Sequence, residues 1–281
     1  MEDYNKLWRF FFAISLVAIA GQQLYCADFR PLIMTPWAAW MPGRLIWTWI
    51  CSAALIGVAI AIILEIKARS IAIVTGVVFL LFVLVFHIPY QASNPQQALY
   101  IWSDAFKLLA YSGGCFIIAE SLPNEPSTSG FINHAAKLIP LGKYFFCTTM
   151  IVFGIEHFIY PTFVATLVPN WIPWHMFWTY FGGFALILAG LAIISGSAFF
   201  ILFGTKGFTI IRSRPAATLL GAMILIWFLV LHIPRAIIDP YSGNGNEWTS
   251  VFESLGFSGI AFLIAGSRSK ESVQQMELAD Y

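Results

Sequence analysis

The chain has 281 residues, 59% hydrophobic and 17% aromatic, with 10% charged and a formal net charge of +1. Soluble domains carry about 25% charged residues. Together with a mean hydropathy of +0.78, this excludes a soluble enzyme, a nucleic-acid binder and a disordered chain, leaving a polytopic membrane protein whose first partner is the lipid bilayer.

A helix crossing the hydrocarbon core needs about 20 mostly apolar residues. Eight stretches meet that need, at 7–25, 44–64, 70–87, 104–120, 144–161, 175–202, 215–233 and 250–266. None alternates like a barrel strand, and open strands would strand backbone groups in lipid, so helices are predicted throughout. The first stretch follows Lys6 and Arg9 like a signal peptide, but no small-residue cleavage site follows it cleanly. It reads as the first span.

Positive charge orients the spans. Lys6, Arg9, Lys67, Arg69, Lys137, Lys143, Lys206, Arg212, Arg214, Arg268 and Lys270 fall on one side, whereas Arg30, Arg44, Lys107 and Arg235 fall on the other. The positive-inside rule makes the first side cytoplasmic and predicts both termini there, in the cytoplasmic membrane of a bacterium. Nine of the eleven tryptophans (37, 40, 47, 49, 102, 171, 174, 178 and 248) fall on the outer side. Interfacial belts gather Trp in this way, and clustering in two matching loops points also to a folded outer cap.

The sequence repeats itself. Residues 40–63 match 171–194 at ten of twenty-four positions, 76–89 match 221–234 at seven of fourteen, and 102–121 match 248–267 at nine of twenty. Hydrophobicity alone would not place His-Ile-Pro after both third spans, at His87 and His232, or Ser-Gly in both fourth spans. The expected organisation is a first four-helix unit over 1–121, a cytoplasmic linker with a short surface helix over 122–143, a second unit over 144–267 and a tail over 268–281. With four spans each, both units insert the same way, related by a pseudo-two-fold axis along the membrane normal. The fold class is therefore all-α, with eight transmembrane helices as two parallel four-helix repeats. Extra residues near 195–209 lengthen the sixth span or form a loop.

Chemistry is expected at the outer face. The segments 27–44 and 161–175 are too Pro-rich for domains and too apolar for ordinary loops, so short helices on or dipping into the outer leaflet are predicted. His87, His157, His175 and His232 fall nearby, with Glu156 beside His157 and Trp171 and Trp178 along the same segment. His87 and His232 either cap carbonyls at the water face, before a helix-stopping proline, or line a shared vestibule. The Glu156–His157 pair either faces a pocket or faces water, and the two cannot chelate one ion from positions about 100° apart on a helix. Lys107 and Glu253 occupy equivalent positions in the fourth and eighth spans, where they either pair across the two units or snorkel separately. No metal-ligand spacing, no Cys-x-x-Cys among Cys26, Cys51, Cys115 and Cys147, and no Cys-x-x-Cys-His haem attachment motif is present.

The motifs Gly154-Ile-Glu-His-Phe-Ile-Tyr-Pro161, Val168-Pro-Asn-Trp-Ile-Pro173 and Tyr180-Phe-Gly-Gly183 resemble the DoxX/DoxD-like family of small four-span membrane proteins. The resemblance covers about 120 residues of the second half, and reaches the first half through the duplication. It implies a helical bundle and a link to quinone-coupled redox chemistry, because founding members are similar to a membrane subunit of thiosulfate:quinone oxidoreductase. Many members carry an acidic residue shortly after the glycine of the second helix, where this chain has Phe184-Ala185-Leu186. Aligned from Gly21, the first unit has Leu24 where the second has His157. The leading expectation is a redox-associated membrane component that binds a lipophilic ligand such as a quinone and meets a membrane redox partner subunit. A small-solute permease and a non-catalytic assembly or chaperone partner are the alternatives.

Overall fold

The computed structural model describes residues 2–37, 41–94, 102–124, 129–200 and 209–267. Trp40, Lys206, Arg268, Lys270 and the tail from 268 lie outside them.

Helix α1 runs Glu2–Cys26, α2 Arg44–Leu64 and α3 Ala68–Phe82; a π-helical turn over Val83–His87 leads into α4, Ile88–Ser93. Helix α5 is Trp102–Ser121. A short α6 (Gly130–Ala135) and a 3-10 turn (Ala136–Leu141) enter α7, Gly142–Ile159, followed by α8 (Pro161–Leu167) and α9 (His175–Ser195). Strands β1 (Ser197–Phe200) and β2 (Thr209–Arg212) form an antiparallel ribbon before α10, Ser213–Trp227. A second π turn over Phe228–His232 joins α10 to α11 (Ile233–Ile238), and α12 is Asn246–Gly266. Seven helical runs among the described residues are long and apolar enough to cross a membrane. Helix α5 is not among them, because Asp104, Lys107 and Glu120 lower its hydropathy over 20 residues.

Both π turns have the same cause. Proline has no N–H and its ring collides with the carbonyl four residues earlier, so Pro89 and Pro234 would meet the carbonyls of Val85 and Val230. Widening one turn absorbs the collision. The helices therefore do not stop at the prolines, as the sequence led us to expect, but continue into α4 and α11. The expected surface helix of the linker is likewise part of one run, Gly130–Ile159, entered through a tightened turn at Pro140. The extra residues after Ser195 begin a ribbon: Gly196 ends α9 in the left-handed region at φ 75°.

The helices close into a ring. Neighbours in order are α1, α2, α3, α5, α7, α9, α10 and α12, which returns to α1, while α5 and α12 also touch across the middle. Buried aromatic rings follow that central path: Phe12 to Tyr111 at 5.4 Å, Tyr111 to Phe257 at 5.6 Å and Phe257 to Phe146 at 6.1 Å between centroids. Glycines set the close contacts. A Cβ on Gly113 would lie 2.5 Å from the Gly142 carbonyl oxygen, and one on Gly259 would lie 2.7 Å from that of Trp8.

Several interactions occur twice. Ser112 Oγ donates to the Gly76 carbonyl at 2.7 Å, and Ser258 Oγ to that of Gly221 at 3.0 Å. Arg69 at the start of α3 donates to the Ala119 carbonyl, and Arg214 at the start of α10 to that of Ala265. At this basic end Arg9 is fully buried, donating to Glu2 at 2.7 Å, Glu65 at 2.9 Å and Ser121 at 3.3 Å, and so ties α1 to the ends of α2 and α5. The chain enters and leaves at that end, since Gly266 lies against Tyr4 and Asn5.

The glycine contacts make a stability prediction. Gly113→Ala and Gly259→Ala should each cost about 1–3 kcal/mol through overpacking, whereas Gly21→Ala, with nothing within 4 Å, should cost nothing. Thermal unfolding of the three variants in one detergent checks this.

Candidate functional site

The Trp-rich end is built differently over the two connections. The segment after α1 turns inward: a single turn bonds Ile33 N–H to the Arg30 carbonyl at 2.9 Å, and Arg30, Leu32 and Ile33 are all buried. Trp37 closes it from outside, stacked on Phe29 at 5.6 Å and donating to the Met41 carbonyl at 2.7 Å. This segment is a plug and not a surface helix. After α7 the chain instead forms α8, which has no buried residue, and leaves Trp171 and Trp174 68% and 77% exposed.

Beneath the plug sits a group of charges in a region depleted of them. Lys107 Nζ on α5 is 3.1 Å from Glu253 Oε2 on α12 and 3.5 Å from Asp104 Oδ1, one turn earlier on its own helix. Arg30 enters from the plug and donates to the Asn244 carbonyl at 2.7 Å, and it lies within electrostatic range of Glu253. In a medium of low dielectric such charges persist only when paired and hydrogen-bonded, and here two cations and two anions offset each other.

The remaining sequence-predicted residues arrange themselves around or away from this cluster. His87 is fully buried, beside the backbone of Leu32 and Ile33 and within electrostatic range of Asp104. It therefore does not cap carbonyls at a water face. Glu156 accepts from Ser103 Oγ at 2.8 Å and is within range of Lys107 and Asp104; His232 is half-buried and within range of Lys107. His157 is not part of the group: its Nδ1 is 2.7 Å from the Phe153 carbonyl and its ring stacks on Trp227 at 6.4 Å. His175 opens α9, where its carbonyl accepts from Thr179 at 3.0 Å, and Trp178 is exposed beside Phe177 and Phe181. No group of three or more His, Cys, Asp and Glu able to hold a metal ion gathers among the described residues.

The packing also corrects the register of the first helices. Alignment from Gly21 sets Leu24 against His157, but Gly259 packs on Trp8 and Phe12 as Gly113 packs on Gly142 and Phe146. That register sets Gln22 against Glu156 and Gln23 against His157. The hydrogen bonds agree, because Thr249 Oγ donates to Gln22 Oε1 at 3.0 Å as Ser103 donates to Glu156. Gln23, fully buried, donates to Ser52 at 3.1 Å.

Two grooves of ligand size mark the surface. One, of about 490 Å³, lies between α1 and the start of α12 and is lined by Gln22, Tyr25, Asn244, Trp248 and Phe252 among others. The second, of about 510 Å³, lies at the basic end beside Lys6, Arg9, Phe10 and Glu65. Neither is lined by the sequence-predicted histidines. Compared with family models, curated proteins and solved structures, the chain matches none.

Arg30, Asp104, Ser103 and Tyr111 were not singled out from sequence. Asp104 had a readable signal, since it lies three residues before Lys107 on one helix face. Arg30 had none, because the inward fold of its segment depends on contacts distant in sequence.

Removing one member of the buried pair should be costly and removing both should not. Lys107→Met is expected to lose about 3–5 kcal/mol by leaving Glu253 without its partner, and the double change Lys107→Met, Glu253→Met should recover most of it. Unfolding midpoints of the single and double variants are the check, and a single variant as stable as the parent would remove the pair from the energetics.

Proposed function

We propose that the chain is a DoxX-like membrane component of two four-helix units, which holds a lipophilic ligand with a polar head, such as a quinone, near its outer face. The groove between α1 and α12 carries this reading. Its walls are Tyr25, Trp248 and Phe252, its polar groups are Gln22 and Asn244, and its volume of about 490 Å³ is within the roughly 300–1,000 Å³ of ligand sites. Aromatic faces accept a planar ring, while a side-chain amide can donate to a ring carbonyl.

The two-unit reading rests on the interactions that occur twice: Ser112–Gly76 with Ser258–Gly221, Arg69–Ala119 with Arg214–Ala265, and Ser103–Glu156 with Thr249–Gln22. Each crosses between corresponding helices. In this reading α5 is the fourth span and brings the number to eight, kept from lipid by α3, α7 and α12, so its charges need not face hydrocarbon. The end holding Arg9, Arg69 and Arg214 faces the bacterial cytoplasm, together with both termini, under the positive-inside rule.

Protein extracted gently from native membranes should carry a quinone or other ring-bearing lipid in near one-to-one amount, recovered by solvent extraction and identified by mass. Trp248→Ala and Gln22→Leu should each lower that occupancy about tenfold or more, the loss expected from removing one anchoring contact of about 1.4 kcal/mol. Extracts free of such a molecule, from protein that keeps its unfolding midpoint, would refute the reading.

A further inference from the structure

The charge cluster contains more hydrogen-bonding capacity than the protein itself uses. Arg30 is 1% exposed, yet its Nε and Nη2 have no hydrogen-bond partner among the protein groups; the same holds for Oε1 of Glu253, 4% exposed. The two charges lie within electrostatic range of one another. The Tyr111 hydroxyl, also within range of Glu253 and with Ser15 beside it, has no partner of good geometry. What these side-chain edges can do is visible elsewhere in the chain. Arg235 uses the same two nitrogens to grip Glu247 bidentately, at 3.0 and 2.6 Å.

A buried, unpaired charged group bears its full desolvation penalty, and native proteins relieve such costs with ordered water making two to four bonds. An additional anion is the poorer candidate, because Arg30 and Lys107 are already balanced by Asp104 and Glu253. The unpaired atoms are also mixed: Arg30 only donates, Glu253 only accepts, and Tyr111 does both. Water alone matches such a set. Tyr111 lies nine residues along α5 from Trp102, about 13 Å at 1.5 Å per residue, so the set extends toward the middle of the hydrocarbon layer.

We propose that Arg30, Glu253 and Tyr111 enclose a chain of internal waters through which the Glu253 carboxylate exchanges protons with the outer aqueous phase. The charged and titratable groups that act on Glu253 are Lys107, Asp104 and Tyr111 from α5 and Arg30 from the plug. The proton is carried stepwise: Glu253 accepts one from a bound water, which is replenished by the next water outward, so charge is conserved at each step. This inference does not depend on the ligand groove.

Two measurements on the full chain in lipid vesicles test it. Hydroxyl radicals generated from water in place label side chains next to bound water, so Tyr111 should be labelled well above Phe116 and Phe146, which are equally buried at 0% exposure. Equal labelling of the three would overturn the hydrated chain, and would point instead to a direct Arg30–Glu253 contact. Infrared spectra of protein carrying isotope-labelled glutamate should show a carboxyl band that grows when the outer side is acidified, shifts in heavy water and is lost in Glu253→Gln. A band indifferent to outer pH and to heavy water would overturn the proton exchange, with no variant needed.

Discussion

Inside a bilayer water does not drive one helix against another, so a bundle must be held by close packing and by polar contacts. Everything in this protein depends on how α5 and α12 meet that constraint. Each presents a glycine to the backbone of a first helix, Gly113 to Gly142 and Gly259 to Trp8. Each sends a serine to the third helix of its own half, Ser112 to Gly76 and Ser258 to Gly221. Because the first-helix partner belongs to the opposite half of the chain, α1 and α7 each join the halves, α1 packing on both α2 and α12 and α7 on both α9 and α5. The ring closes only when both halves are present.

That closure permits charge at depth. With α1, α5, α10 and the plug around it, Glu253 is removed from lipid, and Lys107 and Arg30 supply the field that its carboxylate needs. The energetic requirement runs in both directions: the pair needs the enclosure, and the enclosure is stable only while the charges within it are matched. The plug has a second role in holding Arg30 in place, anchored by Leu32 and Ile33 below and by Trp37 stacked on Phe29 above.

Much of the helical architecture was legible in the chain because hydrophobic length is a strong signal: seven described helical runs long and apolar enough to cross a membrane lie on expected apolar stretches. Of the two readings open for Lys107 and Glu253, pairing and separate snorkelling, the 3.1 Å contact is the first. What sequence did not carry was register and direction. A gap-free alignment pairs Leu24 with His157, while side-chain packing pairs Gln23 with it, since one residue of drift costs nothing in a hydrophobicity match and turns a helix by about 100°. Proline read as a stop because its usual effect is to end a helix, and a widened turn that lets the helix continue has no local signature. Arg30 counted only as one of four cations on the outer side, because whether its segment folds inward is decided by contacts with Asn244, more than two hundred residues away.

The meeting of Lys107 with Glu253 has an evolutionary consequence in the two-unit reading. A residue placed on a two-fold axis in an assembly of identical copies meets itself, so two lysines or two glutamates would face one another and repel. Copies fused in one chain are free to diverge, and so can put opposite signs at that position. Fusion is thus more than a convenience of synthesis: it supplies the asymmetry that turns a self-facing position, which must stay neutral, into a site that can hold charge.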